Sequence, residues 1–134
     1  LMAASNRVQW IIDQGATFKR RLEYTDANGN PIDLTGYNAR MHVRPESTSA
    51  TVYFNITTSP TSDGTGLTMT PISGSVVLPI TSGSIGLTIS AYSSSLVSFD
   101  QAYFDVEIYS GSGQTEYVRR IIEGRIKLNK NTTR

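Results

Sequence analysis

Apolar and polar residues alternate along most of this chain, most cleanly between Phe99 and Leu128. There Ala102, Phe104, Val106 and Ile108 interleave with Tyr103, Asp105, Glu107 and Tyr109. After a glycine-serine turn, Val118, Ile122, Ile126 and Leu128 stand against Tyr117, Arg119, Glu123 and Lys127. A period of two sends successive side chains to opposite faces, so the stretch predicts a half-buried antiparallel hairpin with its aliphatic side inward.

Similar alternation recurs upstream. Val8, Trp10 and Ile12 predict a first strand over 7–12, broken at Gly15. Phe18, Leu22 and Tyr24 are the candidates to face inward over 16–25, with Thr17, Lys19, Arg21 and Glu23 outside. The run DANGNP at 26–31 is a concentrated turn signal. Ala39, Met41 and Val43 oppose Arg40, His42 and Arg44 over 37–44, where Pro45 ends the strand. Val52, Phe54 and Ile56 mark another over 51–57, and Ile85, Leu87 and Ile89 one over 84–90. Residues 91–98 predict a helical turn. Between 57 and 84 Ser, Thr, Gly and Pro dominate, around two apolar islands at Leu67 to Met69 and Val76 to Ile80. This segment reads either as a surface loop holding a weak hairpin or as an arm that orders on a neighbouring subunit. About seven or eight short strands without a long helical period favour an all-β sandwich.

Composition narrows the function classes. A chain of 134 residues suits one domain. Without cysteine there is no disulfide, thiolate metal site or thiol nucleophile. Twelve basic against 11 acidic side chains give no basic surplus for nucleic acid, and no apolar run reaches the roughly 20 residues of a membrane span. Neither nucleic acid nor membrane is an expected partner.

The candidate chemistry is thin. His42 is the single histidine, on the polar side of a strand between Arg40 and Arg44, and any triad or imidazole metal site would have to use it. Asp26, Asn28, Asn30 and Asp33 resemble the start of a calcium loop. Pro31 and Tyr37 occupy the positions where that loop needs Gly and Glu, so a hairpin turn explains these residues. Asp105 and Glu107 lie roughly 7 Å apart on one strand face, within the range of paired glycosidase carboxylates. Arg119, Arg125 and Lys127 on the return strand are available to neutralise them. Trp10, Tyr24, Tyr53, Tyr103, Tyr109 and Tyr117 offer material for a sugar-stacking platform. No catalytic set, metal or cofactor is expected.

Three segments carry a resemblance: 14–44, 83–108 and 118–134. Gly15-Ala16-Thr17-Phe18 opens a strand and Asp33-Leu34-Thr35-Gly36-Tyr37 makes a turn. Tyr103-Phe104-Asp105-Val106-Glu107 follows the pattern Y-D-V-E with Phe104 interposed, and Val118 to Leu128 closes the domain around Arg120, Glu123 and Gly124. In this order the motifs resemble small immunoglobulin-like structural proteins of tailed bacteriophages. The resemblance implies one immunoglobulin-like antiparallel β-sandwich spanning 1–134, with an N-terminal arm at 1–10, a long loop or weak hairpin at 57–82 and a C-terminal tail at 129–134. It also implies a non-enzymatic virion component, assembled in the host cytoplasm, in the tail, baseplate or neck. Capsid decoration and a carbohydrate-binding module for host attachment are the alternatives. The implied partners are other virion proteins and copies of the chain itself, with a glycan as the remaining candidate. Val8, Trp10, Leu67, Met69, Val76, Val77, Leu78 and Arg134 are the expected contact residues. Gly36 is expected to serve the turn, and Gly124 a bulge or a close backbone approach.

Overall fold

A computed structural model describes residues 6–130. The described chain is all-β apart from one helical turn, α1 (Ala91–Ser95), and two short 3-10 turns. Its strands are β1 (Asn6–Asp13), β2 (Phe18–Glu23), β3 (Asn38–Arg44), β4 (Phe54–Thr57), β5 (Gly66–Thr68), β6 (Ile72–Ser73), β7 (Val76–Val77), β8 (Ser84–Ile89), β9 (Gln101–Ser110) and β10 (Tyr117–Asn129). They form a five-stranded sheet in the order β1-β10-β9-β3-β4, a three-stranded sheet in the order β2-β8-β5, and the small β6–β7 hairpin. Every pairing is antiparallel except that of β1, which runs parallel to β10 from Asn6 opposite Ile122 to Asp13 opposite Asn129.

Both sheets contribute to one core. Trp10, Ile12, Met41, Val43, Phe104, Val106, Ile126 and Leu128 come from the five-stranded sheet; Phe18, Leu67, Ile85, Leu87 and Ile89 come from the three-stranded one. The Trp10 ring stacks on Phe104 at 4.3 Å between centroids and meets Phe18 at 5.6 Å. Three aromatic side chains from β1, β9 and β2 thus bridge the two sheets. Fully burying each large apolar side chain contributes about 2 kcal/mol, so these alternating positions dominate the stabilisation of the fold.

Four expectations need correction. Val118 is exposed and Arg119 lies on the core side, the reverse of the simple alternation, and Ile121 is buried. The cause is a register shift between Arg120 and Ile122, where β10 carries one residue more than β9 opposite. Such a bulge places Ile121 and Ile122 on the same side and reverses the phase before it. The strand expected over 51–57 is confined to β4, leaving Val52 exposed while Ile56 is buried. Within 57–82, β5 joins the second sheet through β8. Residues 6–10 of the expected arm belong to β1, while 1–5 lie outside the described residues.

Candidate functional site

The outward face of the five-stranded sheet gathers a dense set of charges, and strand register arranges it in rows. One row crosses β1, β10, β9 and β3 as Gln9, Arg125, Tyr103 and Arg44; the next reads Arg7, Glu123, Asp105 and His42. A third brings Arg120, Glu107 and Arg40 into line. These are the polar positions of the alternation, lifted clear of the core by the pleat.

The rows are knitted by ion pairs. Arg120 Nε lies 3.4 Å from Asp105 and its Nη1 3.3 Å from Glu123, which Arg7 also approaches at 3.3 Å. Arg40 Nε donates to Glu107 at 3.0 Å and its Nη1 lies 3.6 Å from Glu116, while its guanidinium sits over the Tyr109 ring at 4.5 Å. The Glu107 hydrogen bond raises the pKa of Arg40. Burial pushes the Asp105 carboxyl above its ordinary value, against the pull of Arg120. Asp105 and Glu107 are therefore brought together on one face, each tied to an arginine.

Two arginines of this face are held by neutral partners. Arg125 Nη2 donates to the Tyr103 hydroxyl at 2.6 Å and packs over its ring at 4.9 Å. Arg44 Nη1 donates to the Ser49 carbonyl at 2.8 Å, and its Nη2 lies 3.1 Å from Nδ1 of His42. Around these groups opens a cleft of about 700 Å³, where the guanidinium groups of Arg7, Arg44, Arg120 and Arg125 face the carboxylates of Asp105 and Glu123. The arrangement suits polar contact with another surface or ligand.

The other predicted groups scatter. Asp26 Oδ1 accepts the N–H groups of Asn28 and Asn30 at 2.9 and 3.0 Å, and Asp33 Oδ1 accepts that of Thr35 at 2.9 Å. The oxygens of the calcium-like run thus hold their own turns, and the Thr35 hydroxyl and N–H lower the Asp33 pKa. Among the described residues no three His, Asp or Glu side chains gather as a metal-ligand set. The aromatic residues do not form one platform: Trp10 and Tyr24 are buried, Tyr53 stacks on Phe99 at 4.9 Å, and guanidinium groups cover Tyr103 and Tyr109. Of the contact candidates, Trp10, Leu67 and Met69 are buried in the domain core, and Val8 packs against it. Leu78 is half-buried; Val76 and Val77 are exposed at the small hairpin; Arg134 lies outside the described residues.

Two clusters had no signal in the sequence. The Asp63 carboxylate accepts from the hydroxyls of Ser90, Ser93, Thr61 and Thr65, which ties the 61–65 turn to the start of α1 and holds its pKa far below the usual carboxylate range. Arg119, brought to the core side by the bulge, sits beside Tyr24 and Tyr117, whose hydroxyls raise its pKa. Its Nε is buried without a hydrogen-bond partner among the described residues. Asp63 meets Ser90 and Ser93 across 27 and 30 residues, and nothing in a Ser/Thr-rich run distinguishes the hydroxyls that converge on it.

The motif residues have structural positions. Leu34 is fully buried, Gly36 takes φ +85 in the turn before β3, and Tyr37 meets Tyr117 edge-on at 6.1 Å. Gly124 lies against β1 with no room for a side chain. No protein-family profile and no curated protein sequence matches this chain.

Proposed function

We propose that this chain is a non-enzymatic, immunoglobulin-like structural subunit of a tailed-phage virion, placed in the tail, baseplate or neck and contacting other virion proteins and copies of itself. The observation that carries the reading is the strand order. The order β10-β9-β3-β4 is the one a G-F-C-C′ sheet of a variable-type immunoglobulin domain would have, and β2-β8-β5 the one of a B-E-D sheet, which supports the immunoglobulin-like reading. The motif residues support it in part, since Leu34 is buried, Gly36 makes the turn before β3 and Gly124 lies where β1 docks on β10. The pairing of Asp105 and Glu107 with arginines favours a binding role for the outward face over a hydrolytic one.

Immunogold labelling of intact particles of the encoding phage tests the proposal. Label at the tail or at one vertex is expected. Label distributed around the head would move the chain to capsid decoration. Absence of label, with an antibody that binds the free chain in solution and particles disrupted to expose buried subunits, would overturn the virion reading.

A further inference from the structure

The open edge of β1 carries an inference of its own. Gln14 N donates to Asn129 O at 2.9 Å, and backbone directions alternate along a strand. Ile12, Trp10 and Val8 therefore turn their N–H and C=O groups toward β10, and Arg7, Gln9 and Ile11 turn theirs to the edge, as Asp13 does its N–H, while the Asp13 carbonyl accepts from Ala16 N at 3.0 Å. β1 ends the five-stranded sheet, and among the described residues no strand pairs with that edge. An unpaired edge is a template for another strand unless it is short, kinked or heavily charged.

The remaining edges of the two main sheets are blunted. β4 has four residues and β5 three. β2 carries Lys19, Arg20, Arg21 and Glu23 among its six. β1 has eight, no proline and no bulge, and its outward Ile11 is 56% exposed. Its charges are self-complementary. Arg7 and Asp13 stand three residues either side of Trp10, so two antiparallel copies centred on Trp10 bring each Arg7 opposite the other's Asp13. Gln9 then faces Ile11, and Val8 faces Ile12 on the core side. The residues turned to the edge fall into the hydrogen-bonded pairs, Gln9 with Ile11 through both of their bonds and Arg7 with Asp13 through the Asp13 N–H, while Trp10 meets Trp10 in a non-hydrogen-bonded pair at the two-fold axis.

We infer that β1 pairs antiparallel with β1 of a second copy around Trp10, joining two five-stranded sheets into one continuous sheet. This names the surface for self-contact in the reading above, yet it rests on the edge geometry alone and needs no virion.

The test uses the full chain. Sedimentation at micromolar to millimolar concentration is expected to show about twice the chain mass of 14.7 kDa. Gln9→Pro deletes an N–H that points away from β10, so the domain keeps its thermal transition while the dimer weakens roughly tenfold or more. Since the chain has no cysteine, the Gln9→Cys/Ile11→Cys variant reports register directly. Facing residues in a hydrogen-bonded pair are about 5.5 Å apart at Cα, within disulfide reach, and mild oxidation should yield covalent dimers joined from position 9 to position 11. A chain that stays monomeric throughout, or a dimer untouched by Gln9→Pro and lacking that cross-link, overturns the inference. Either result leaves the virion reading to the labelling experiment.

Discussion

Gly124 lies so close to Val8 that a Cβ built on it would collide with the Val8 carbonyl oxygen. The obstacle is backbone on both sides, so no rotamer change relieves it. Gly124→Ala therefore forces β1 away from β10 at the middle of the parallel ladder. Overpacking in a well-formed core costs about 1–3 kcal/mol, and here the stacking of Trp10 on Phe104 is disturbed as well. A loss of about 3 kcal/mol in denaturant unfolding is expected, with faster amide exchange along β1 than along β9. Unchanged stability would show that β1 docks differently.

Asp63 predicts an acid-sensitive link between two loops. Its folded pKa is depressed by the hydroxyls of Ser90, Ser93 and Thr61. The unfolded chain binds the proton more tightly, so the contribution is complete above the ordinary Asp value of about 3.9 and is lost as pH falls below it. Asp63→Asn should lower the melting temperature near neutral pH and converge on the parent chain in acid. Parallel melting curves of the two chains against pH would remove the carboxylate from this role.

The legibility of the fold follows from where its information lies. β3, β8 and β9 were readable because apolar residues recur at every second position along each, and β2 was readable from Phe18 and Leu22 although the exposed Arg20 interrupts its alternation. β10 was readable as a strand but not in phase, since a bulge adds a residue that hydrophobicity does not mark and Ile121 and Ile122 are both apolar. The direction of β1 was not readable, because parallel and antiparallel addition use the same alternation. Trp10 illustrates the difficulty at the site level: an aromatic residue near a terminus fits a contact surface and a core equally well, and only the stack on Phe104 decides for the core. Arg44, Tyr103 and Arg125 lie far apart in the chain and share a row only through the β3–β9–β10 register.

Asp105 and Arg120 give the opposite pH sign to Asp63. Burial raises the Asp105 pKa above that of the unfolded chain, so the group favours folding while protonated and opposes it as pH rises through and above the ordinary value near 3.9. Removing the partner leaves a partly buried carboxylate facing fewer positive charges. Arg120→Ala should thus cost about 1 kcal/mol at neutral pH, a modest figure because Arg120 is half exposed. The loss should shrink toward pH 4. Asp105→Asn should cost less than Arg120→Ala at neutral pH, since it relieves the burial penalty along with the pair. Equal losses at every pH would assign the effect to packing of the arginine stem.

Trp10 and the Val76–Val77 pair separate core from contact surface among the candidates drawn from the sequence. Trp10 is 8% exposed and bridges the sheets through Phe104 and Phe18, whereas Val76 and Val77 are 59% and 60% exposed on a two-stranded hairpin. Truncating a buried tryptophan opens a cavity that a rigid sandwich-like core closes only partly, at about 3–5 kcal/mol. Replacing an exposed aliphatic changes stability by no more than about 0.5 kcal/mol. Trp10→Ala should accordingly shift the denaturant midpoint strongly, and Val76→Ser/Val77→Ser should leave it in place. If the hairpin meets another virion protein, the serine variant then loses incorporation into particles while its isolated domain unfolds as before. A serine variant that incorporates normally removes the hairpin from the contact surface.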